Sequence, residues 1–433
     1  MKRLVLLMAL PCLVSVRASA ATLTLDQALE TARANHPQLR VARGQTEVAS
    51  ARVAEARAPL LPQVNGTASY QRSTMNYVQR PGASPKQVSA GQSSSSLDTG
   101  GYYNFGITAN QLIYDFGQTT KKWDASKATL QAQKDTELNQ ALQVAFSVRT
   151  AFNNGLAARA LVKVAEETLR NQDAHLVQIQ GFVKAGTRPE IDLAQARTDQ
   201  ANARVQLISA QNNYKVALAQ LNQAMGLDAT PDYELADEQA APVPGEEQTT
   251  DALLPEALQA RPDVLALHKQ IEAQELTIRA TQGAYAPSLG VSTGLTDEGS
   301  ELDNLTWNWS AALTLTWNFF GGGQTTAQVR EARANASVLR AQLDVLRQQV
   351  RLSVEEARLA VLASRASLEA TKEAALNARE RLRLAEGRYQ AGVGNVIELG
   401  DAQVALTSAA AQEVQAQYQL ANARAQLLLA LGR

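Results

Sequence analysis

Long apolar runs, aromatic residues and an excess of either charge are scarce in this chain of 433 residues. Beyond residue 20 no stretch approaches the eighteen apolar residues of a membrane helix, so the sequence predicts none. Basic residues number 41 and acidic residues 42, which gives no reason to expect a nucleic-acid partner. Aromatic residues make up only 5% of the chain, while Ala, Gln, Arg, Leu and Glu dominate long tracts. This composition is typical of long helices packed side by side.

Cysteine occurs once, as Cys12, within a segment that has the features of a secretory signal peptide. Two basic residues come first, an apolar run covers 4–16, and small residues end the segment at 18–20. We therefore expect residues 1–20 to be removed. Pro11 stands where a lipoprotein site needs a small residue, so we expect a mature chain without a lipid anchor or cysteine. Such an exported chain fits a periplasmic or outer-membrane setting.

An internal repeat relates the two halves of the chain. The segments that match in one register are Gln118-Thr119-Thr120 with Gln324-Thr325-Thr326, Gly181 and Ala185-Gly186 with Gly387 and Ala391-Gly392, Ile191-Asp192-Leu193 with Ile397-Glu398-Leu399, and Gly226 with Gly432. Near the start of each half, Ala28-Leu29 before His36-Pro37 corresponds to Ala257-Leu258 before Arg261-Pro262. A duplication of this kind predicts two structurally equivalent halves.

Each half is predicted to contain a helix, two strands, a very long helix, a tight turn and a further helix. The first repeat covers 21–226, with a helix over 27–58, strands over 62–80 and 101–115, and helices over 118–184 and 190–225. The segment 80–101 between its strands is rich in Gly, Ser and Pro and is predicted to be a mobile external loop. A linker covers 227–251. The second repeat covers 252–433, with strands over 287–297 and 304–318 and helices over 324–390 and 396–431.

The clearest strand pattern lies in the second half. Leu305, Trp307, Trp309, Ala311, Leu313, Leu315 and Trp317 alternate with Thr306, Asn308, Ser310, Ala312, Thr314 and Thr316. A strand that is apolar on one face and polar on the other suits a barrel wall between lipid and water, and a soluble two-sheet sandwich is the alternative. We expect Trp307, Trp317, Phe319 and Phe320 to serve as interfacial aromatics.

Four strands cannot close a barrel alone, and an open edge in lipid leaves backbone groups unsatisfied. The barrel hypothesis therefore requires an oligomer. The two long helices each run for more than sixty residues without proline, or about 100 Å. Such helices greatly exceed a globular domain. A coiled-coil stalk would explain the helices equally well but leaves the strands unexplained.

Taken together, the motifs resemble those of the TolC-like outer-membrane efflux proteins over essentially the whole mature chain. The segments that carry the resemblance are Leu25-Asp26-Gln27-Ala28-Leu29 with His36-Pro37-Gln38-Leu39, Ala257-Leu258 with Arg261-Pro262-Asp263-Val264, Tyr114-Asp115-Phe116-Gly117-Gln118, Trp317-Asn318-Phe319-Phe320-Gly321-Gly322-Gly323-Gln324, and Tyr389-Gln390-Ala391-Gly392. None is specific alone, whereas their order, duplication and spacing are.

The resemblance implies an α+β membrane protein in which a long α-helical barrel is continuous with a β-barrel. Each protomer would supply four strands, twelve in a homotrimer, placed in outer-membrane lipid with a large periplasmic portion. The family acts as the exit duct of a tripartite efflux or type I secretion system, with a periplasmic adaptor and an inner-membrane transporter as partners. It has no catalytic activity and needs no cofactor or metal.

The resemblance also implies a periplasmic aperture lined by acidic side chains. Glu398 and Asp401 occupy those places in this sequence, three residues apart at the start of a helix. Threefold symmetry would turn them into rings of carboxylates that favour cations. Without the resemblance, acids near a helix N-terminus are explained by the helix dipole alone.

Tyr389 matches the family's gating tyrosine, whereas Gly394 stands where the gating arginine would be. Arg188, at the equivalent point of the first repeat, is the candidate substitute, paired with Asp192 or with an acid across the interface. We expect this chain to keep the family's aperture but to close it through different side-chain contacts.

An enzyme and a structural protein are the two alternative functional classes. His36, His175 and His268 lie on separate predicted helices without catalytic or metal-ligand spacing, so we expect them to be surface residues and the protein not to be an enzyme. A periplasmic coiled-coil adaptor or structural stalk is the stronger alternative. The sequence does not distinguish drugs, metals and proteins as substrates.

Overall fold

The computed structural model describes residues 21–74, 99–228, 230, 232–238 and 241–433. The predicted signal peptide and most of the predicted external loop lie outside these residues. In chain order the elements are β1 (Ala21–Leu23), α1 (Leu25–Asn35), α2 (Pro37–Arg57), a short 3₁₀ turn (Ala58–Leu60), β2 (Gln63–Thr74), β3 (Thr99–Tyr114), α3 (Gln118–Lys184), α4 (Glu190–Met225), β4 (Tyr233–Leu235), α5 (Thr250–Ala260), α6 (Pro262–Gly283), β5 (Ser288–Gly299), β6 (Thr306–Thr316), α7 (Gln324–Gln390) and α8 (Val396–Leu431).

The chain forms two compact units. One, called here the sheet unit, comprises the described residues of 44–136 and 263–346. The other, the helical unit, comprises the described residues of 1–43, 137–262 and 347–433. None of the described helices carries an apolar stretch long enough to cross a membrane.

The sheet unit contains a four-stranded antiparallel sheet in the order β2-β3-β5-β6. Its register pairs Ile107 with Leu295 and Leu295 with Trp309, and directly paired residues project from the same face of a sheet. The apolar residues that share this face are Val64, Ala68, Tyr70, Tyr103, Phe105, Ile107, Ala109, Leu289, Val291, Leu295, Trp307, Trp309, Ala311, Leu313 and Leu315. Short polar side chains such as Thr108 and Asn308 occupy the other face.

The two outer strands of this sheet, β2 and β6, each have one neighbour among the described residues. Their outward backbone N–H and C=O groups therefore have no ladder partner in that part of the chain. Side chains on the apolar face are largely exposed, and Trp307 retains 72% of its accessible surface. The described residues thus leave both the edges and the apolar face of the sheet uncovered.

Helices of the sheet unit approach closely through alanines. Ala128 and Ala132 of α3, Ala280 of α6 and Ala336 of α7 are buried. Gln274 of α6 donates from Nε2 to a backbone carbonyl of α7 at 2.9 Å. Small side chains permit close helix contact without a wide apolar core, in agreement with the alanine-rich composition.

The first predicted helix, 27–58, is wrong as a single element. The chain forms α1 and α2 instead, and His36 between them adopts an extended conformation with ψ 124°. Pro37 explains the break, because the residue before a proline is disfavoured in the helical region. Arg261, before Pro262, is extended in the same way with ψ 121° between α5 and α6.

Two glycines cap the C-terminal ends of α4 and α8, and each packs against one of these helix breaks. Gly226 and Gly432 both have left-handed φ angles, 74° and 80°, and cap the two 36-residue helices. A Cβ on Gly226 would lie 2.7 Å from the Cα of His36, and a Cβ on Gly432 would lie 3.0 Å from the Cα of Arg261. The repeated glycine and the repeated X-Pro step therefore meet in space in both halves of the chain.

The predicted linker 227–251 is partly structured. Its strand β4 pairs in parallel with β1, with Leu235 opposite Leu23. Leu235 is buried in the main core of the helical unit, and the Tyr233 hydroxyl donates to Asn222 Oδ1 at 2.5 Å. Burial raises the pKa of Tyr233 to about 12. Three-residue strands carry too little periodicity to be found from sequence.

Candidate functional site

The candidate site lies in the helical unit, where α3 turns into α4 and α7 turns into α8. Gly186 and Gly392 adopt left-handed φ angles of 71° and 77° in these turns. A small core joins the four helix ends. Its buried members are Leu176, Ile179, Ala196, Leu382, Ala385, Tyr389, Leu399 and Ala402. The repeated Ala-Gly steps thus form matching turns around one apolar cluster.

Tyr389 is the largest side chain in this cluster and retains only 1% of its accessible surface. Its ring makes edge contacts with His175 at 5.6 Å and Phe182 at 6.2 Å between centroids. The hydroxyl is buried and has no hydrogen-bond partner among the described residues. Burial raises the pKa of Tyr389, with Arg188 opposing the shift. A buried hydroxyl without a partner costs roughly 1–3 kcal/mol.

Arg188 reaches across from the first turn to the second. Its guanidinium carbon lies 4.7 Å from the centre of the Tyr389 ring, a cation–π distance. It also donates from Nη2 to the Gly394 carbonyl at 3.4 Å, which is long for a hydrogen bond. No ion pair joins it to Asp192 within the described chain, because the guanidinium lies against Tyr389 and Gly394.

Gly394 has no room for a side chain. A Cβ at this position would lie 2.8 Å from the backbone nitrogen of Tyr389 and 2.9 Å from the carbonyl carbon of Arg388. The turn is closed by a hydrogen bond from Gly394 N to Arg388 O at 2.9 Å. An arginine therefore does not fit at Gly394 in this turn. The guanidinium near Gly394 comes from Arg188 of the first turn instead.

The prediction that all three histidines are surface residues of helices is wrong for His36, which is half-buried at the break between α1 and α2, and for His175. The ring of His175 packs on Tyr389 and is half-buried. Burial lowers the pKa of His175, while Asp199 and a hydrogen bond from the imidazole to Gln178 oppose the shift. Helical periodicity alone did not reveal this contact, since it depends on which face of α3 meets α7.

Glu398 and Asp401 have different surroundings. Glu398 forms an ion pair with Arg388 at 3.4 Å between Oε1 and Nε, and both side chains are exposed to solvent by about half. Asn395 caps the start of their helix by accepting from Ile397 N at 3.2 Å. Asp401 is exposed and lies one turn further along α8.

Asp401 lines a groove of about 1040 Å³ between α4 and α8. Asp192, which retains 8% of its accessible surface, and Asp199 line the same groove from α4. Gln172 donates from Nε2 to Gln403 Oε1 at 2.9 Å along the groove, and both side chains are buried. Three carboxylates and buried amides make this a polar, acidic groove.

The predicted interfacial aromatics lie in the sheet unit, at the two ends of β6. Trp317 stacks on Phe319 with 4.5 Å between ring centres, and its indole nitrogen donates to the Tyr285 carbonyl at 3.1 Å. Phe320 is 85% exposed, and Trp307 is exposed at the opposite end of the strand. These rings are held by local contacts while their faces stay open.

The fold is similar to those of solved outer-membrane proteins. Over 94% of the chain it superposes on 85% of the CmeC outer membrane channel of Campylobacter jejuni, with a TM-score of 0.79 and 19% identity. VceC of Vibrio cholerae, an outer membrane protein, gives a TM-score of 0.76 at 18% identity over 94% of this chain and 96% of its own. At these identities the likeness concerns the fold.

The sequence defines the family. Residues 28–227 and 253–433 match the model for outer membrane efflux proteins, and the chain belongs to this family. The solvent efflux pump outer membrane protein SrpC of Pseudomonas putida is 26% identical over 416 residues, which cover 94% of this chain and 84% of SrpC. The chain is therefore an outer-membrane efflux protein, from a family of channel proteins and not of enzymes.

Proposed function

We propose that this chain is one protomer of a trimeric channel, the passive exit duct of a tripartite efflux pump or type I secretion system. Substrates would enter from a pump that spans the periplasm and leave to the exterior. A periplasmic adaptor and an inner-membrane transporter would be the partners, and the transporter would supply the energy. The name of SrpC, an efflux pump component, supports this assignment.

The observation that carries the proposal is the open sheet with one apolar face. Each unsatisfied backbone group in lipid costs several kcal/mol, so the edges of β2 and β6 need partners. Pairing β6 of one copy with β2 of the next satisfies both edges. Three copies of the four-stranded sheet give twelve strands, a size within the range of outer-membrane barrels.

The spacing of aromatics supports a membrane position for β6. Trp307 and Trp317 are ten residues apart, or about 33 Å along a strand. With a strand tilt of roughly 40°, this distance spans about 25 Å of membrane thickness, the height of the apolar band in outer-membrane barrels. The aromatics would then lie at the two interfaces.

Under this proposal the helix turns form the periplasmic tip. Glu398 and Asp401 would make acidic rings at the aperture in a threefold assembly, with Asp192 lining the adjacent groove. Tyr389 and Arg188 would hold the closed state. Asp192 has no ion pair within the described chain and is thus available to a basic group of a neighbouring protomer.

The test is planar-bilayer conductance of the detergent-extracted, cross-linked trimer. We expect a small, cation-selective conductance, because a closed acidic aperture restricts flow and attracts cations. A well-folded trimer that neither inserts nor conducts would overturn the proposal and favour a structural stalk or adaptor.

The aperture is tested by Glu398→Ala with Asp401→Ala. We expect a higher conductance or a lower cation selectivity, since the double substitution removes six carboxylates per trimer. Glu356→Ala with Glu413→Ala removes as many carboxylates from α7 and α8 away from the turns and serves as the control. If both double variants match wild type, the constriction lies elsewhere.

A further inference from the structure

The turn from β3 into α3 combines an exposed aromatic pair with lysines. The rings of Tyr114 and Phe116 lie 4.9 Å apart, and each is more than half exposed. Lys121 packs its stem beside the turn, since a Cβ on Gly117 would lie 3.6 Å from its Cγ. The aliphatic stem of Lys121 therefore lies against the residue that follows Phe116.

This turn carries more lysines than acidic residues. Lys121 and Lys127 both bind Asp124, with Nζ to carboxylate distances of 3.0 and 2.7 Å. Lys122 is exposed and forms no ion pair with the described residues. Two of the three ammonium groups thus share one carboxylate. Lys127 is held in place by Trp123, with its Nζ 4.0 Å from the ring centre.

Phe116 adopts a backbone conformation that is unfavourable for residues other than glycine. Its φ is 53°, and it is the one non-glycine residue with positive φ in the described chain. The equivalent residue of the second repeat is Gly322, with φ 61°. A large aromatic side chain is strained in a conformation that suits glycine, which points to a use for the ring.

The second repeat has the same turn without the lysines. Ala327 and Gln328 stand where the first repeat has Lys121 and Lys122. The first turn of α3 needs no added anion to satisfy its Thr119 backbone N–H group, because Thr119 N already donates to Asp115 Oδ2 at 2.7 Å. The positive charge at these two positions is therefore particular to the first repeat, whereas Lys127 corresponds to Arg333.

We propose that this turn, formed by Tyr114, Phe116, Lys121, Lys122 and Lys127, binds the headgroup phosphate of an anionic phospholipid. The inference rests on the proposed function, which sets β3 in the membrane and α3 in the periplasm. The turn then lies at the lipid–water boundary. Aromatic rings are favoured at that depth, and lysines just beyond it attract anionic headgroups.

The experiment uses the full-length trimer in detergent. Native mass spectrometry counts bound dioleoylphosphatidylglycerol and, separately, dioleoylphosphatidylcholine. We expect wild type to prefer phosphatidylglycerol, and Lys121→Gln with Lys122→Gln to lower its affinity by about fivefold for each lysine removed. Lys122→Gln alone tests a side chain whose loss breaks no ion pair, so its effect is independent of folding.

The control is Lys163→Gln with Lys215→Gln, which removes the same charge from exposed positions of α3 and α4 in the helical unit. It should bind phosphatidylglycerol like wild type. Equal lipid binding by wild type and the Lys121 and Lys122 variant, or no preference in wild type, would overturn the inference. Bilayer conductance of the same samples reports separately on the proposed channel.

Discussion

The two helix turns of the helical unit share a backbone but differ in their side chains. Both have a left-handed glycine, Gly186 or Gly392, and both lead into a helix of 36 residues. The first turn carries Arg188, whereas the second carries Gly394 at the equivalent position. Conversely, Tyr389 stands before the second turn and Val183 before the first.

This difference shows how a duplicated fold acquires one asymmetric contact. The repeated backbone places the two turns side by side around a shared cluster. Because the tight second turn excludes a side chain at Gly394, the arginine of the first turn lies against the tyrosine of the second. Substitutions of Tyr389, Gly394, His175 and Arg388 perturb the two turns, and their expected effects decrease in that order.

Replacing Tyr389 by alanine should have the largest effect. Loss of a fully buried aromatic side chain costs about 3–5 kcal/mol, and it also removes the ring that Arg188 contacts. Hydrogen exchange of residues 176–196 should become faster. Val183→Ala, at the equivalent place in the first repeat, should cost about 1 kcal/mol. Equal exchange in both variants would mean that Tyr389 does not stabilise the turns.

Substituting Gly394 by alanine should destabilise the second turn by about 1–3 kcal/mol, because the added Cβ meets backbone atoms at 2.8 and 2.9 Å. Resting conductance in bilayers should rise as the turn opens. Gly387→Ala is the matched control, since its Cβ would meet nothing within 4 Å. A Gly394→Ala channel as closed as wild type would show that this turn tolerates expansion.

The turns should lose stability as the pH falls below about 6.5, the pKa of an unperturbed histidine. Burial lowers the pKa of His175, so the unfolded state binds a proton at a higher pH than the folded state. Stability is then lost from pH 6.5 downwards until the folded pKa is reached. In His175→Gln, the stability of the turns measured by hydrogen exchange should depend less on pH than in wild type. The exposed His268 offers a control, and an unchanged profile in His175→Gln would exclude His175 as the cause.

The smallest effect is expected for Arg388→Gln. Its ion pair with Glu398 is exposed by about half, and such pairs contribute roughly 0.2–1 kcal/mol. High salt should reduce the difference between variant and wild type in hydrogen exchange, because exposed charges are screened. A salt-independent loss larger than this range would indicate a further partner for Arg388.

The sequence by itself indicated the family, the strands and the long helices. Alternation in β6 and the proline-free runs of α3 and α7 are strong signals, because they depend on regular periodicity over many residues. Their observed bounds follow the turn residues Gly117 and Gly323 at the start and Gly186 and Gly392 at the end. Repeated motifs also marked the turns that contain the candidate site.

Only the tertiary structure revealed which residues meet. The pairing of β1 with β4, the contact of Gly226 with His36 and the packing of His175 on Tyr389 join residues far apart in sequence. The contact between Arg188 and Tyr389 likewise depends on how four helix ends pack. Periodicity determines which face of an element is apolar, whereas the choice of partner depends on shape and close packing in three dimensions.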